Sequence, residues 1–474
     1  MTANDYLTKM RDGEELKPSQ QIMMIIRLSI PAMLAQLSSI VMQYIDASMV
    51  GRLERADSAA IGLVSSTTWL FGGLMMAAGI GFTVQIAKAV GAKQDARARN
   101  LVKTGLICVA VFSVVLLAAG AALSSVLPVW LGADDAVKGK ASAYFLVFAL
   151  SVPFVQLNHT SVGMIQASGN MRVPSLLEVV MCALDVVFNA LLIFPSGTRS
   201  IFGLEFYMPG AGLGITGAAL GTALAEAVVS LFLLWFLLFR SGVTGLKRGE
   251  KLVFSLSDIK RAVRLAIPVA AEQIVTGSAY IAFTRIVSPL GEAAIAANSF
   301  SITAESLVYM PGYGIGAAAS TIIGQSIGAR RVDLTNRLGR LAVFLGVAVM
   351  TAGGAFMYAS APYMISILSP DPEIQALGAR ILRIEAFAEP LFAASIVATG
   401  VFRGAGDTVV PTAVSLVSMW CVRIPLAAFL SGTYGLPGVW IAMAFELCVR
   451  GALFIILLFT RFKKRAVASR YIRE

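Results

Sequence analysis

The sequence predicts an all-α integral membrane protein, with twelve transmembrane helices in two parallel six-helix lobes around a central cavity. Three observations predict this architecture: an apolar composition, long stretches without charge, and an internal repeat. Of the 474 residues, 57% are apolar and only 14% are Asp, Glu, Lys or Arg, against about 25% charged residues in soluble proteins. A chain with a mean hydropathy of +0.79 cannot cover its surface with polar side chains. A soluble enzyme, a disordered chain and a disulfide scaffold are therefore excluded.

The transmembrane helices follow from the apolar stretches. A helix needs about 20 apolar residues to cross ~30 Å of hydrocarbon. Four stretches that are longer than this contain no Asp, Glu, Lys or Arg: 58–87, 104–133, 141–171 and 341–370. Barrel strands are excluded, because they have about ten residues and alternate in polarity. With the apolar stretches that hold isolated charges, the predicted spans lie near 28–50, 58–87, 104–127, 142–167, 173–195, 212–239, 262–288, 293–323, 341–368, 379–402, 409–431 and 436–460.

The basic residues predict the orientation. The segments on the same side as the N-terminus hold 28 of the 38 Lys and Arg residues. The positive-inside rule therefore places both termini in the cytoplasm, with the chain in the cell inner (plasma) membrane. The net charge of +11 is interpreted as a topology signal with some attraction to anionic lipid, and no nucleic-acid partner is expected. The predicted domains are a cytoplasmic tail (1–27), a first lobe (28–239), a cytoplasmic linker (240–261), a second lobe (262–460) and a basic cytoplasmic tail (461–474).

The two lobes correspond to a sequence repeat with a constant offset along most of its length. RLSIPAMLAQ (27–36) aligns with RLAIPVAAEQ (264–273), and VGMIQASGNMRVP (162–174) aligns with TGVFRGAGDTVVP (399–411). Six spans per half is an even number, so both halves enter the membrane in the same direction. Such parallel repeats are typical of secondary transporters. The first half carries sixteen extra residues, which fall in a predicted outer loop at 195–211.

Seven longer stretches also carry a family resemblance: IDASMVGRL (45–53), GIGFTVQIAKAVGAK (79–93), GMIQASGNMRVPS (163–175), GAALGTALAE (217–226), EQIVTGSAYIAFTRIV (272–287), MPGYGIGAAASTIIGQSIGAR (310–330) and FRGAGDTVVPT (402–412). They resemble the multidrug and toxic compound extrusion (MATE) family, in its bacterial NorM-like and DinF-like branches. The resemblance covers residues 20–460 and extends to a wider superfamily that contains flippases. It implies two six-helix lobes around a V-shaped cavity, and drug extrusion coupled to inward H⁺ or Na⁺.

Polar residues on the first span form one candidate site. Gln36, Ser39, Gln43 and Asp46 fall on one face at helical spacing, and this face is expected to meet the cavity. An ionisable side chain within the bilayer costs several kcal/mol, so each one calls for a function or a partner. Asp46 is predicted to bind the coupling cation, and its position matches the first-span aspartate of MATE cation sites. The alternative is an aspartate that only caps the helix end.

A second group of polar residues lies on the fifth span. Glu178, Asp185 and Asn189 share one face, where two carboxylates could hold one proton between them or supply oxygens to Na⁺. MATE proteins usually carry Asn four residues before an Asp or Asn, whereas here Asp185 precedes Asn189. Thr222 on the sixth span matches a family position that adds a hydroxyl. The predicted cation-coupling residues are therefore Asp46, Asp185, Asn189, Thr222 and Glu178, with Asp46 and Asp185 as the carboxylates of any Na⁺ site.

The second lobe offers acids for the substrate side of the cavity, to which Gln43 is also assigned. Glu272 aligns with Ala35 of the first lobe, and it matches the functional acid of the seventh MATE span only in part. Glu385 and Glu389 lie one turn apart, where like charges repel unless a proton or a cation is near. The alternative for this pair is a salt bridge to Arg383 or Arg423.

No cofactor is predicted beyond the coupling ion. One histidine, His159, and four scattered cysteines give no metal-ligand spacing, and the chain has no Walker sequence for ATP. The predicted function is a secondary antiporter that expels bulky, lipophilic, mostly cationic drugs and works as a monomer in the lipid bilayer. A flippase for lipid-linked oligosaccharides is the alternative, and it would need an Arg-rich cavity. A membrane enzyme such as a prenyl-phosphate transferase would need an Asp-rich or His-containing motif, which the sequence lacks.

Overall fold

The computed structural model describes residues 3–51, 53–201, 204–247, 250 and 253–462, and these residues are mostly helical. Two π-helical segments and one 3₁₀ turn extend or join the α-helices: Phe236–Arg240 after α8, Ser288–Leu290 after α9, and Met419–Arg423 between α14 and α15. In chain order the α-helices are α1 (Ala3–Arg11), α2 (Pro18–Val50), α3 (Arg55–Gly91), α4 (Asp95–Leu123), α5 (Leu127–Trp130), α6 (Asp135–Ala167), α7 (Arg172–Ile193), α8 (Gly214–Trp235), α9 (Leu256–Val287), α10 (Glu292–Gly328), α11 (Val332–Leu368), α12 (Pro372–Glu385), α13 (Glu389–Ala405), α14 (Val409–Ser418), α15 (Ile424–Tyr434) and α16 (Leu436–Arg461).

Long helices coincide with the predicted spans. Across the described ranges, ten helical segments have the length and hydropathy of a membrane span. The eighth predicted span, 293–323, lies within α10, which is 37 residues long and rich in Gly, Ala and Ser. The tenth falls on α12 and α13. The sequence pattern therefore located the membrane helices to within a few residues at most ends.

The tenth predicted span is not one continuous helix. The sequence predicts a single span at 379–402, but α12 ends at Glu385 and α13 begins at Glu389. Pro390 accounts for the break, because proline lacks the N–H donor and disfavours helical geometry just before it. Pro153 occupies the equivalent repeat position, yet α6 continues through it. The lobes thus differ at this point, and two buried acids flank the break in the second lobe.

The outer loop predicted at 195–211 forms a β-hairpin. Strand β1 (Pro195–Ile201) pairs antiparallel with β2 (Leu204–Ala211). Gly212 follows with φ of +65°, a left-handed conformation that glycine adopts without strain, and it returns the chain to α8. The all-α class is therefore correct for the membrane-spanning part and incomplete for this insertion.

Both described ends of the chain lie at the same end of the helix bundle, called here the terminal end. Tyr6, Leu7 and Met10 of α1 are buried in one apolar cluster together with Phe462, which follows α16. The predicted tail at 1–27 thus contains a packed helix, and α2 already begins at Pro18. The basic tail predicted at 461–474 lies outside the described residues from position 463 onward. Two lobes with an even number of spans each place both ends on the same side, and here the two ends also pack together.

The lobes also contact each other at the terminal end. Met24 and Leu28 of the first lobe share the α1 cluster with Ile322 of α10. Gln325 of α10 donates a hydrogen bond from Nε2 to the carbonyl oxygen of Ala167, at 2.7 Å. The described apolar clusters nearer the opposite end each belong to a single lobe. Apolar packing between the lobes is therefore concentrated at the terminal end.

Candidate functional site

A buried polar cluster lies inside the first lobe, where α2, α7 and α8 meet. The Nδ2 atom of Asn189 donates hydrogen bonds to Asp46 Oδ1 at 2.9 Å and to Asp185 Oδ2 at 3.0 Å. The Asp185 carboxyl group is also within hydrogen-bonding reach of the Asp46 carboxyl group, and it interacts electrostatically with the Thr222 hydroxyl. Asp185 and Asn189 are fully buried, and Asp46 is half-buried. These four residues, predicted from three separate spans, are called the Asp cluster below.

Helix spacing explains how the Asp cluster forms. Asp185 and Asn189 are one turn apart on α7, so both side chains point to the same neighbour. Gly221 of α8 faces Asn189, and a Cβ at that position would collide with the Asn189 amide oxygen. The alternative role of Asp46 as a helix cap does not fit, because it lies near the C-terminal end of α2, where the helix dipole disfavours a carboxylate.

A second polar level lies further along the same two helices, toward the terminal end. Asn158 of α6 donates a hydrogen bond from Nδ2 to Glu226 Oε2 at 2.8 Å, and it interacts electrostatically with Glu178. Glu178 and Glu226 interact electrostatically with each other, and Glu226 does so with Asp185. Glu178 therefore belongs to this level, called the Glu pair, rather than to the Asp cluster with which it was predicted.

The sequence interpretation missed Glu226. It is the only ionisable residue in the predicted span 212–239, and it follows Thr222 by one helical turn. A lone acid in an apolar span was the signal that could have identified it.

A central cavity of about 620 Å³ lies between the lobes. From the first lobe, Glu178, Glu226 and Asn158 line it, and so does the one histidine, His159. The second lobe contributes charged and aromatic side chains to the lining: Glu272, Tyr280, Glu305, Tyr309, Tyr313, Phe392, Arg403, Arg423 and Arg450. The cavity thus joins an acidic wall on one lobe to an aromatic and mixed-charge wall on the other.

Three predicted cavity residues do not line this space. Gln43 is exposed. It lies one turn beyond Ser39, the last residue of α2 that lines the cavity. Glu385 and Glu389 are fully buried beside the helix break. A Cβ on Gly354 of α11 would lie 3.1 Å from Glu389 Cβ, so α11 covers that side of the pair.

The charged groups of the second lobe are largely paired with each other. Glu272 Oε2 accepts a hydrogen bond from Arg403 at 2.9 Å and one from Thr412 Oγ1 at 3.3 Å. Glu446 bridges Arg423 at 2.7 Å and Arg450 at 3.0 Å. Glu272 is therefore neutralised at the cavity wall.

The alternative salt bridges of Glu385 and Glu389 do not form. Arg423 binds Glu446, and Arg383 donates to the carbonyl oxygen of Tyr358. Among the described residues, neither Glu385 nor Glu389 has a hydrogen-bond partner. Both interact electrostatically with Glu305, so three buried acids lie near one another in the second lobe.

Comparisons with known proteins agree with this architecture. The MatE family model matches residues 31–191 and again 268–429, and the two matches begin at equivalent positions of the internal repeat. The "Probable multidrug resistance protein NorM" of Thermotoga maritima is 25% identical over 450 residues, with 94% of each chain covered. The "Probable multidrug resistance protein YoeA" of Bacillus subtilis is 25% identical over 419 residues, covering 87% of this chain and 88% of that one.

Solved structures share the fold at lower identity. A MATE protein in complex with MaL6 superposes with a TM-score of 0.88 at 21% identity, over 98% of this chain and 99% of that one. An outward-facing multidrug resistance MATE family transporter of the MOP superfamily gives a TM-score of 0.87 at 21% identity, over 98% of each chain. These similarities confirm the predicted architecture of twelve membrane helices in two lobes.

Proposed function

The chain belongs to the MatE family, and on that premise we propose that it exports lipophilic cations in exchange for an inward proton. Its relatives carry the names of multidrug resistance proteins and transporters, which identifies a multi-pass membrane transporter rather than an enzyme. A complete cavity and a complete Asp cluster occur within one chain, so a monomer suffices for the proposed cycle.

The Asp cluster is the observation that carries the proposed exchange. Two carboxyl groups in hydrogen-bonding reach of each other, buried among apolar helices, repel unless a proton or a cation lies between them. We therefore expect the cluster to bind one positive charge. When that charge leaves, the repulsion between the two carboxyl groups returns and favours a different arrangement of the helices. Alternating access of the two lobes would then expose this site and the cavity to each side in turn.

A proton fits the Asp cluster better than Na⁺ does. The Asn189 amide directs its NH₂ donor at both carboxyl groups, whereas a hard cation needs several oxygen ligands. The amide already occupies one oxygen of each carboxyl group, which leaves fewer oxygens to surround a metal ion. We therefore place the coupling proton between Asp46 and Asp185, and Na⁺ is the second candidate.

The polarity of the cavity favours a cationic cargo over a pyrophosphate-linked lipid. The three arginines that line the cavity are all engaged by Glu272 or Glu446. Within the described ranges, no salt bridge to Glu178 or Glu226 is found. An anionic headgroup would meet unpaired carboxylates here, so the flippase alternative is disfavoured.

The orientation follows from the positive-inside rule. If both termini are cytoplasmic, the terminal end, where the lobes are packed together, faces the cytoplasm. The described conformation would then be outward-facing, with the cavity accessible to the cell exterior and ready to release cargo in exchange for a proton.

The experiment that tests this function is efflux of ethidium from vesicles with the protein in the membrane. A pH gradient and a Na⁺ gradient are imposed separately, and Asp46→Asn is compared with Asp134→Asn, the same change at an exposed helix start. We expect the pH gradient to drive efflux without a Na⁺ gradient. Asp46→Asn should abolish this efflux, whereas Asp134→Asn should leave it unchanged. Efflux driven only by the Na⁺ gradient would show that Na⁺ is the coupling ion instead of the proton. Efflux that requires ATP would overturn secondary antiport.

A further inference from the structure

We propose that Glu178, Glu226 and Asn158 form the subsite that binds the positively charged N–H group of a protonated amine cargo. The proposal rests on the proposed function for the existence of a transported cation. It assigns a place and a chemical preference that the family match does not supply. The Asp cluster, in contrast, lies behind the cavity wall and does not line it.

Charge imbalance singles out the Glu pair within the cavity. Both carboxyl groups line the cavity, and Asn158 beside them donates a hydrogen bond to Glu226. Glu272, on the opposite wall, has its own arginine. A cargo cation that enters the cavity therefore finds uncompensated negative charge at the Glu pair.

Asn158 supplies an independent sign of a missing ligand. The residue is only 3% exposed, and its Nδ2 atom is used by Glu226. Its Oδ1 atom is buried and has no hydrogen-bond partner in the described part of the chain. A buried acceptor left unpaired is destabilising, so an arriving N–H donor would stabilise the site. An N–H donor with a positive charge satisfies the acceptor and both acids together.

The size and walls of the cavity indicate an organic cation rather than a metal ion. A space of about 620 Å³ is in the range of pockets for drug-sized ligands. No group of three acid, His or Cys ligands is found among the described residues. Across the cavity, Tyr309, Tyr313 and Phe392 pack edge to face and offer an apolar surface for flat rings. The subsite therefore suits a protonated aromatic amine, with its nitrogen at the Glu pair.

The test uses two cationic dyes that differ only at the ring nitrogen, which carries hydrogen in one and a methyl group in the other. Acridine orange carries a protonated ring nitrogen, and 10-methylacridine orange is its quaternary analogue without that N–H donor. Binding to the purified full-length protein in nanodiscs, without any gradient, is measured by fluorescence anisotropy. We expect Glu178→Gln and Glu226→Gln each to raise Kd for both dyes at least tenfold, which corresponds to a loss of about 1.4 kcal/mol in binding free energy.

Asn158 and two control variants complete the test. Asn158→Leu should remove the preference of the wild-type protein for acridine orange over its methylated analogue. Glu292→Gln, an exposed acid at the start of α10, should leave both values of Kd within twofold. Glu226→Asp keeps the charge and should lose less affinity than Glu226→Gln, which separates a charge effect from misfolding.

Two outcomes overturn the subsite, and neither touches the antiport proposal. The first is unchanged binding of both dyes by both Gln variants, and the second is equal binding of the two dyes by wild-type protein. Conversely, wild-type vesicles that bind dye but show no gradient-driven efflux would end the antiport proposal and leave the subsite standing.

Discussion

Gly221→Ala should disable the Asp cluster without removing any of its polar groups. A Cβ at position 221 would collide with the Asn189 amide oxygen, and it would lie 2.9 Å from the Asn189 backbone nitrogen and 3.0 Å from its Cγ. Carbon contacts settle near 3.5–4.0 Å, so α7 and α8 would have to separate by about 0.5–1 Å. Asn189 would then lose its place between Asp46 and Asp185.

The energetic cost can be estimated from the contacts. Overpacking of this kind costs about 1–3 kcal/mol, and each lost hydrogen bond to a charged group costs about 1.5–3 kcal/mol more. The matched control is Gly62→Ala on α3, where a Cβ meets nothing within 4 Å. Alanine at that helical position should be neutral or stabilising by up to about 1 kcal/mol.

Both variants are measured by heating purified protein before size-exclusion chromatography, and by ethidium efflux under a pH gradient. We expect Gly221→Ala to lower the midpoint temperature and to reduce efflux at least tenfold, while Gly62→Ala resembles wild type. If Gly221→Ala pumps at the wild-type rate, Asn189 is not needed between the two aspartates, and the geometry assigned to the coupling site is wrong.

Three further predictions concern the second lobe, the linker and the orientation. Glu272→Gln leaves Arg403 unpaired at the cavity wall and should change which cations are carried while the response to a pH gradient persists; complete loss of that response with dye binding intact would move the coupling site to the second lobe. The Arg99 guanidinium, 2.6 Å from Glu250, lowers the pKa of that carboxyl by hydrogen bonding; the pairing should therefore hold the linker at neutral pH and be lost as pH falls below about 4. Glu250→Gln should accordingly speed tryptic cleavage of the linker at pH 7.5, and its effect on cleavage by pepsin should shrink as the pH falls through the lowered pKa of Glu250. A single cysteine at Asp134 should react with an impermeant maleimide outside intact cells, and one at Ser255 should not; the reverse would invert the orientation.

Much of the site was accessible from the sequence, because helical spacing is regular. Asp185 and Asn189 are one turn apart, Asp46 lies on the polar face of the first span, and the resemblance supplied Thr222. Their coupling role stays a prediction, but the fold does bring all four together. Sequence spacing gives the face of one helix and not the neighbour it meets. For that reason the interpretation grouped Glu178 with Asp185, whereas packing of α6, α7 and α8 pairs it with Glu226.

The second lobe was harder to predict, for a related reason. Pro390 lies within the predicted tenth span, but the sequence does not say whether a proline kinks a helix or ends it. Pro153 lies within a continuous helix, and Pro390 follows a break. Glu385 and Glu389 consequently flank a non-helical turn under α11 instead of lining the cavity. The Glu272–Arg403 salt bridge joins α9 to α13, and no local pattern marks a pair 131 residues apart.

Under the proposed antiport, the two acid levels on α7 and α8 would couple the binding of cargo to the release of a proton. Asp185 and Glu178 are seven residues apart on one helix, which places them about 10 Å apart along its axis. At an effective dielectric constant of about 20, two unit charges at this distance interact by about 1.7 kcal/mol, or nearly 20-fold in affinity. A proton that leaves the Asp cluster makes it more negative and so strengthens binding of a cation at the Glu pair. A proton that arrives from outside weakens that binding by the same factor, as reciprocal linkage requires. The charge of one proton would thus favour loading of cargo on the cytoplasmic side and its release outside. A movement of the lobes could change the affinity further, in addition to this electrostatic effect.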